Sequence, residues 1–555
     1  PIRATTTNGI VFAATDGSST ITATDNDHGA SINDFVTLAG AASLGGVITA
    51  GVLNQEYQVV TVPSDDTFTF VARVADTSIG SITTTSGLNP TPVVANSSDS
   101  GNGGSGADAA YQATVGLNTA LTGNGWNAGP YGRGTWNSSS NISVDGASLR
   151  IWSHDNIGQN LIFNARDAGI YYWSKAGGTT ARAVALSSLS GANLTPTIAK
   201  KVLVSDRDRH IIAFGCDGES SIGTQDPLLI RFSSQDLGSG ESLVEWKTEP
   251  TNTAGDLRIG SGSEIVTAIE TRQQVLVFTD TSLHAMQFIG PPLTFGLTTL
   301  SENITISGPL AAIAVEDMVF WMGQQEFYVY GGGVQRLPCT VRDYVFSDFN
   351  SSQIKKVTAA TNTSFSEIWW FYPSSNSNEN DKYVVYNYQQ KIWYYGNLAR
   401  TVWLDRGIES NPVAAGTDHF LYTHEFGSDD GSTDPTSAIA SFIESSQIDI
   451  GDGDQFNFIN KLIPDLTFRD STADFPKATF TIKTRNFPGG TYLQTGVKDI
   501  TQSAGATSTV VEQFTEQVNL RLRGRSFAVR VDSSDTGVTW RLGSPRIDVK
   551  PDGRR

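Results

Sequence analysis

The chain contains little charge and almost no cysteine. Of its 555 residues, 17% are charged, against about 25% in a typical globular protein, and the only cysteines are Cys216 and Cys339. Two distant cysteines without metal-ligand spacing exclude a disulfide-rich scaffold and a zinc ribbon. We expect both to be buried thiols in a protein made in a reducing compartment.

Long apolar runs are also absent. A membrane-spanning helix needs a run of about 18 apolar residues, and the strongest candidate, residues 308–322, carries Glu316 and Asp317 in its middle. The residues that follow Pro1 lack the apolar core of a signal peptide. The sequence therefore predicts no membrane-spanning segment.

Acidic residues outnumber basic residues. The chain has 38 Lys and Arg against 56 Asp and Glu, which gives a net charge of −18. This balance argues against a clamp that holds nucleic acid by neutralising its phosphates, but it is compatible with a surface past which nucleic acid slides. The charge is uneven, because the first 130 residues hold ten acidic residues with only Arg3 and Arg73, whereas the last 35 hold nine basic residues and four Asp.

The residues that are present indicate β structure. Gly, Ser, Thr and Asn are abundant and 10% of the chain is aromatic, a composition typical of all-β proteins. Ten of the eleven Trp lie between residues 126 and 403, which separates a first module from the rest. We predict four regions in an all-β fold: a small acidic β module of barrel or Ig-like type (1–95), a Gly/Ser linker with a short helix (96–130), a β-propeller core (131–440) and a C-terminal β-sandwich region with a basic tail (441–555).

The first two regions follow from local patterns. Residues 56–62 and 67–70 alternate on either side of a Pro/Asp turn, which is a hairpin signal. Gly101–Gly106 satisfies G-x-G-x-x-G, but no strand feeds it as a dinucleotide site requires, so we interpret it as linker. Ala107–Leu121 has apolar residues at helical spacing and is predicted to be a helix.

The propeller prediction rests on a repeated pattern of an apolar strand, a polar turn and an aromatic-rich strand. The second strands begin near residues 211, 275, 319, 368 and 420, at intervals of 44 to 64 residues. Four-stranded propeller blades recur at about 40–50 residues. Consecutive β-sandwiches are the alternative.

No catalytic, cofactor-binding or metal-binding constellation is evident, and we predict that the chain is not an enzyme. The six His are scattered without zinc spacing, and there is no G-x-S-x-G nucleophile elbow. The clustered Asp at 429, 430 and 434 and at 449, 452 and 454 lack the Gly and terminal Glu of an EF-hand loop, so solvated turns are expected.

One local motif is well defined. Residues 533–540 match the Asp-box pattern S-x-D-x-G-x-T-W of sialidases and related propellers, through Ser533, Asp535, Gly537, Thr539 and Trp540. We predict a structural turn in which Asp535 accepts backbone amides, Gly537 supplies a positive φ and Trp540 packs beneath.

Three aromatic segments, residues 170–173, 368–372 and 392–395, have two interpretations. In propeller strands they would form the core between blades, which is the interpretation we favour; exposed, they would suit stacking on carbohydrate. With the Asp box, they keep open the alternative of a carbohydrate-binding or sialidase-like propeller that acts in host-surface recognition.

Several sequence segments resemble those of a known protein family. Residues 152–162 with 169–173, residues 381–396 and the ending 540–555 resemble segments of the tail-hub or nozzle proteins of short-tailed bacteriophages. The first module, through His28, Asp34–Thr37, Tyr57–Val59 and Phe68–Phe70, is similar to a small β module inserted in many phage structural proteins.

This resemblance implies a structural virion protein, made in the host cytoplasm and placed in the phage tail. Six copies would form a tube beneath the portal and adaptor proteins, in contact with tail fibres or spikes, that retains double-stranded DNA and conducts it during ejection. An acidic lumen would repel phosphates and let DNA pass. The basic residues expected to contact an acidic neighbour, adaptor or adjacent subunit, are Arg521, Arg523, Arg525, Arg554 and Arg555.

Overall fold

The computed structural model describes residues 2–28, 30, 35–74, 92–112, 119, 149–178, 181, 183–237, 240–418, 420–449, 453–486 and 506–554. Almost every regular element among them is a β-strand, which confirms the all-β prediction. The chain divides into two compact units, residues 1–406 with 414–420 and residues 407–413 with 421–555. The helices in the described ranges are too short and too polar to span a membrane.

The first unit begins with two four-stranded antiparallel sheets that share an apolar core. The strands are β1 (Ile2–Thr6), β2 (Val11–Ala14), β3 (Thr20–Thr24), β4 (Phe35–Ala39), β5 (Glu56–Gln58), β6 (Thr61–Ser64), β7 (Thr67–Val71) and β8 (Asp108–Gln112), with helix α1 (Ala50–Leu53) before β5. The strand orders are β1-β8-β4-β5 and β2-β3-β7-β6. Side chains alternate between core and solvent, as in β3, because successive residues of a strand face opposite sides.

The stretch 96–106, predicted to be a flexible linker, packs against this module instead. Asp99 is 3% exposed, and its carboxylate accepts the backbone N–H groups of Asn96, Gly46 and Ile48, each at 2.9 Å. Burial raises the pKa of the Asp99 carboxyl, but these backbone donors outweigh it and hold that pKa below its ordinary value. Gly103 is required here, because its φ is +83° and a Cβ would lie 2.4 Å from the Phe12 ring.

The helix predicted over Ala107–Leu121 is wrong where the structure describes it. Asp108–Gln112 form strand β8, which pairs with both β1 and β4. Every second residue of this segment, Ala107, Ala109 and Tyr111, is buried, which is the spacing of a strand. The helical spacing in the sequence depended on residues further along the chain. Most of those, including Val115 and Leu117, lie outside the described residues.

Five four-stranded antiparallel sheets follow, each built from four consecutive strands. They are β9 (Trp152–Ile157), β10 (Asn160–Ala165), β11 (Ile170–Trp173) and β12 (Val184–Ala185); β13 (Lys201–Ser205), β14 (His210–Phe214), β15 (Leu229–Phe232) and β16 (Gly255–Arg258); β17 (Ile265–Glu270), β18 (Val275–Thr279), β19 (Ser282–Gly290) and β20 (Thr294–Glu302); β21 (Ala312–Val315), β22 (Met318–Met322), β23 (Phe327–Tyr330) and β24 (Val334–Leu337); and β25 (Thr358–Asn362), β26 (Glu367–Tyr372), β27 (Lys382–Asn387) and β28 (Ile392–Asn397). Connecting helices are α2 (Glu241–Val244) and α3 (Arg342–Ser347), with 3-10 turns at Lys175–Gly177, Leu186–Ser188 and Ser351–Lys356.

The first strands of successive sheets lie next to one another, β9 beside β13, β13 beside β17, and so on to β25. Apolar side chains fill the spaces between adjacent sheets. Adjacent Trp residues of β26 face opposite sides, Trp370 toward Phe327 at 5.0 Å between ring centroids and Trp369 toward Trp403 at 5.4 Å. The aromatic segment 368–372 is therefore buried core, as predicted.

The two cysteines are free thiols, Cys216 buried and Cys339 half-buried. Burial raises the pKa of the Cys216 thiol to about 12 and that of Cys339 to about 11. Both sulfurs are therefore protonated and poorly nucleophilic near neutral pH, as buried structural cysteines are.

The two larger sheets of the second unit share one apolar core. The strands from the end of the first unit onward are β29 (Arg400–Leu404), β30 (Val413–Gly416), β31 (Leu421–Thr423), β32 (Asp429–Asp430), β33 (Ser437–Ala438), β34 (Ser441–Glu444), β35 (Ile448–Asp449), β36 (Asn457–Ile463), β37 (Leu466–Thr467), β38 (Lys477–Arg485), β39 (Ala506–Glu512), β40 (Val518–Gly524), β41 (Ser526–Ser533), β42 (Arg541–Leu542) and β43 (Arg546–Pro551). The larger has the order β34-β41-β38-β39, with β35 also paired to β41, and the smaller the order β40-β36-β43. The boundary predicted at residue 440 falls inside this unit, because Asp429 bonds to Gly537.

Candidate functional site

A buried ion network joins the beginnings of three adjacent sheets. Lys200, which precedes β13, places its ammonium 3.0 Å from Asp167 Oδ1 and 2.8 Å from Glu264 Oε2. Asp167 follows β10 and Glu264 precedes β17, so a single lysine connects the first three of the five sheets. The Arg166 guanidinium donates to the Val266 carbonyl at 2.8 Å and lies 3.7 Å from Glu264.

The network changes the pKa of Glu264. Burial raises the pKa of the Glu264 carboxyl, but Lys200 and the neighbouring cations outweigh it and hold that pKa below its ordinary value. The adjacent Lys201 donates to Thr267 Oγ1 at 3.0 Å, and burial together with the Arg166 charge lowers its pKa to about 8. Buried networks of this kind define the mutual positions of the elements they join more than they add net stability.

Carboxylates crowd together at the opposite ends of the same first strands. Asp206 and Asp208 follow β13, Glu270 ends β17, and Asp155 of β9 accepts the Val204 N–H of β13 at 2.8 Å. We call Asp155, Asp206, Asp208 and Glu270 the acidic rim. Desolvation and repulsion from the three aspartates raise the pKa of Glu270 to about 7.

The arginines near the acidic rim are engaged locally. Arg207 lies 3.2 Å from Asp208 and donates to the Arg272 carbonyl at 3.3 Å, and Arg272 lies 3.5 Å from Asp317. These contacts connect the hairpin turns of the second, third and fourth sheets. Arg209 donates to the Asp236 carbonyl at 3.5 Å.

The acidic rim carries more carboxylates than arginines. Arg207 and Arg272 pair with Asp208 and Asp317, whereas Arg209 contacts only a backbone carbonyl. An excess of carboxylates disfavours the approach of anions such as phosphate. In the ranges that the structure describes, no three His, Cys, Asp or Glu are placed to hold a metal ion. The rim was missed by sequence reasoning because its members come from three different sheets.

An open cleft of about 490 Å³ lies elsewhere on the first unit, lined by residues that include Gln325, Arg342 and Phe346. The Arg342 guanidinium donates to the Gln325 carbonyl at 2.8 Å and lies 3.3 Å from Glu326. None of the residues predicted from the sequence lines this cleft.

The Asp-box segment forms a turn, with different partners from those predicted. Gly537 has a φ of +71° and Trp540 packs on the core of the second unit while donating to Ser441 Oγ at 3.0 Å. The backbone N–H of Gly537 donates to both carboxylate oxygens of Asp429, at 2.7 and 2.9 Å. Asp535 instead lies 3.9 Å from Lys477, so the predicted role of Asp535 belongs to Asp429.

The two other Asp-box residues connect the turn to neighbouring segments. The Ser533 hydroxyl donates to the Lys477 carbonyl at 3.3 Å. The backbone of Thr539 is bonded in both directions by Ser471, whose Oγ accepts the Thr539 N–H and donates to the Thr539 carbonyl, each at 2.9 Å.

The basic residues near the C-terminus lie around one aromatic ring. The guanidinium groups of Arg523 and Arg525 lie 4.1 and 4.9 Å from the ring centroid of Phe456. Arg523 also pairs with Asp552, and Arg554 lies 3.1 Å from Asp454. Arg555 lies outside the described residues.

The exposed surface of the β40-β36-β43 sheet is basic. Arg521 and Arg523 alternate with buried leucines on β40, and Phe458 of the central strand lies between Arg523 and Lys550 in the sheet register. We call Phe458, Arg521, Arg523 and Lys550 the basic face. Within the described part of the chain, Arg521 and Lys550 have no ion-pair partner.

An exposed pair of phenylalanines was not predicted. Phe475 and Phe514 are 83% and 88% exposed, and the pairing of Lys477 with Glu512 places them at opposite register positions just beyond the ends of β38 and β39. Asp474, Glu512 and Glu516 are exposed beside them. We call these five residues, Asp474, Phe475, Glu512, Phe514 and Glu516, the acidic tip. A single Phe in each polar loop was the only available signal in the sequence.

Comparisons with known proteins are weak. No family model matches the chain, and no curated protein matches it. Among solved structures, the computationally designed Ika8 protein is 12% identical with a TM-score of 0.30, covering 50% of this chain and 72% of its own. Kluyveromyces lactis Hsv2p is 9% identical, with a TM-score of 0.29 and coverages of 49% and 73%. The endosialidase of phage phi92 is 10% identical, with a TM-score of 0.18 and coverages of 78% and 58%. At these TM-scores the similarities assign neither fold nor function.

Proposed function

We propose that this chain is a structural subunit of the tail nozzle or hub of a short-tailed bacteriophage. Copies of it, six in the family that the sequence resembles, build a ring-shaped channel that retains double-stranded DNA and conducts it during ejection. The observation that carries this proposal is the acidic rim, where carboxylates from three adjacent sheets gather and outnumber the arginines beside them.

The proposal includes a propeller core. Five successive sheets of four consecutive strands, with their first strands side by side, have the strand arrangement of propeller blades. The two sheets of the second unit, with one shared core, suit a β-sandwich. The N-terminal pair of sheets suits a small barrel or Ig-like module.

The charge distribution fits passage of DNA rather than its capture. A protein that binds DNA neutralises phosphates with Lys and Arg, and binding then weakens steeply with salt. Here the chain carries 18 more acidic than basic residues, and four acidic residues lie close together in the acidic rim of the first unit. Phosphates repelled by such a surface would not stall.

The buried ion network supports the same role. A channel subunit has to keep its shape while DNA under pressure lies against it. Lys200 holds three sheets through two short contacts, with Asp167 and Glu264. The partners in this role are copies of the chain, portal and adaptor proteins and tail fibres or spikes, and the location is the virion.

Electron microscopy of negatively stained full-length protein tests the proposal. Rings with six-fold symmetry are expected, alone or after addition of portal and adaptor proteins, and monomers under all these conditions would contradict it. Fluorescence anisotropy with a 30-base-pair duplex is expected to show no binding at low salt. Salt-sensitive binding of the duplex would contradict repulsion. Binding to a glycan array, or turnover of a sialoside, would instead favour the carbohydrate-directed alternative.

A further inference from the structure

The open cleft of the first unit is lined mostly by polar groups. Its volume of about 490 Å³ lies within the range of about 300–1,000 Å³ that is usual for small-molecule sites, most of which have a predominantly apolar lining. Of the eight described residues that line this cleft, six are polar and two, Phe346 and Phe349, are apolar. A ligand suited to this lining carries many hydrogen-bonding groups together with an apolar face.

The two phenylalanines are held in place by contacts with other rings. The ring centroids of Phe346 and Phe349 lie 6.1 Å apart. Phe346 also packs on Phe327 at 5.6 Å between centroids, and Phe349 on Tyr372 at 5.8 Å. Because both phenylalanines are only half-buried and line the cleft, part of each ring is accessible to a ligand. Flat apolar rings of this kind suit the C–H faces of sugar rings.

Two neighbouring side-chain amides, those of Gln324 and Gln325, also line the cleft. Both side chains are exposed, and in the described part of the chain neither amide has a hydrogen-bond partner. Their backbone is fixed, because the Gln324 N–H donates to Thr305 Oγ1 at 3.1 Å and the Gln325 carbonyl accepts from Arg342 at 2.8 Å. An amide both donates and accepts, as a sugar hydroxyl does, so the pair is suited to a polyhydroxylated ligand.

Two serines, Ser347 and Ser351, add hydroxyl groups to the lining. Asn350, which lies between them, fixes this part of the backbone. Its N–H donates to the Pro373 carbonyl at 3.0 Å, and its side-chain amide donates to the Ser377 carbonyl at 2.8 Å. A lining whose backbone is already ordered loses little conformational entropy when a ligand binds.

The charges at the cleft disfavour an anionic ligand. Arg342 is the only cation among the described lining residues, and it pairs with two carboxylates, Glu326 at 3.3 Å and Asp343 at 3.2 Å. Because two carboxylates accompany one guanidinium, the local charge is negative and offers no net attraction to a carboxylate or phosphate. The ligand expected in this cleft is therefore neutral.

We propose that this cleft binds a neutral oligosaccharide. One sugar ring packs against Phe346 and Phe349, and its hydroxyls bond to the amides of Gln324 and Gln325. A neutral sugar combines the C–H faces, the many donors and acceptors and the lack of charge that the lining requires. This inference goes beyond the proposed function, because it adds recognition of a neutral glycan to a channel subunit. It does not rest on the ring, since the cleft lies within one chain.

An array that carries neutral hexose oligosaccharides beside their sialylated counterparts tests this inference when it is probed with the full chain. We expect binding to a neutral oligosaccharide, and binding at least about fivefold weaker to its sialylated counterpart. Q324A/Q325A is expected to weaken binding to that neutral oligosaccharide about tenfold, because two amides are lost. Phe346→Leu removes a flat ring and is expected to weaken it about threefold.

A matched control separates the cleft from general effects of glutamine removal. Q335A/Q390A truncates two exposed glutamines elsewhere on the first unit and is expected to bind like the wild type. Thermal unfolding of every variant reports whether it folds. If Phe346→Leu is destabilised, Q324A/Q325A decides, because its two side chains are exposed.

The outcomes also distinguish this inference from the proposed function. Absence of binding to every neutral oligosaccharide, preference for the sialylated members, or binding that Q324A/Q325A leaves unchanged would each overturn the inference. Six-fold rings without glycan binding would leave the proposed function standing and this inference wrong. Cleft-dependent binding by a chain that forms rings would support both, whereas the same binding without rings would support this inference and the carbohydrate-directed alternative.

Discussion

The ammonium of Lys200 lies 2.8 Å from the Glu264 carboxylate, a contact that joins the beginnings of two adjacent sheets across a sequence distance of 64 residues. The same ammonium reaches Asp167 at 3.0 Å, so one cation serves two carboxylates from different sheets. Lys200 is 8% exposed, and water therefore compensates little if it is removed.

Replacement of this lysine is expected to destabilise the first unit. In Lys200→Met two carboxylates lose their shared cation, and the expected loss is about 2–3 kcal/mol of unfolding free energy, at the lower end for buried pairs because Glu264 is partly exposed. Calorimetric unfolding measures it. Lys247→Met, which removes an exposed pair with Glu249, is the matched control and is expected to leave the unfolding free energy nearly unchanged, because water screens that pair. Equal losses in the two variants would contradict the structural role of Lys200.

Crowding in the acidic rim predicts a pH-dependent effect of Glu270→Gln. The folded protein keeps the Glu270 proton up to about pH 7, whereas the unfolded chain releases it near pH 4.3. The unfolded state therefore binds fewer protons across this window, and stability falls as pH rises through it. The variant is expected to be more stable than the wild type at pH 8, by about 1–2 kcal/mol after allowance for solvent screening, and equally stable at pH 4.

Thermal unfolding at the two pH values measures this difference. Glu409→Gln, at an exposed position, is the control and should change stability at neither pH. A gain for Glu270→Gln of the same size at pH 4 and pH 8 would show that packing, rather than charge, is responsible.

The Asp-box segment gives a direct comparison of two aspartates. Asp429→Ala leaves the buried Gly537 N–H without its acceptor and is expected to cost about 1–3 kcal/mol. Asp535→Ala removes only a 3.9 Å surface pair and is expected to cost less than about 1 kcal/mol. Hydrogen exchange of the Gly537 and Thr539 amides localises the effect. A larger loss of unfolding free energy for Asp535→Ala would show that Asp535, rather than Asp429, stabilises this turn.

Sequence patterns predicted those strands that the preferences of neighbouring residues determine. The second strands expected near residues 211 and 368 coincide with β14 and β26, because apolar and aromatic side chains with β preference mark them locally. The acidic rim was not predictable, since Asp155 and Glu270 come near each other only when three sheets pack side by side. The replacement of Asp535 by Asp429 is of the same kind, because a motif of eight residues contains no information on a partner 108 positions away.

The Gly-rich stretch 96–106 is also held by contacts with residues distant in the sequence. Composition indicated a linker, but the Asp99 carboxylate accepts backbone N–H groups from residues about 50 positions away, which no local pattern reveals. Asp99→Ala leaves the buried Ile48 N–H and the half-buried Gly46 N–H without an acceptor and is expected to cost about 2–3 kcal/mol. Hydrogen exchange is expected to accelerate in residues 41–48 and 96–106, and Asp16→Ala, at an exposed turn, should leave it unchanged.

The effect of this variant depends on pH. Because the pKa of Asp99 is lowered in the folded state, the contribution of its carboxylate to stability is complete above about pH 4 and is lost as pH falls through the folded pKa. The variant and the wild type therefore converge in stability only in acid. Wild-type exchange in 96–106 as fast as that of an unstructured peptide would show that this stretch is a linker after all.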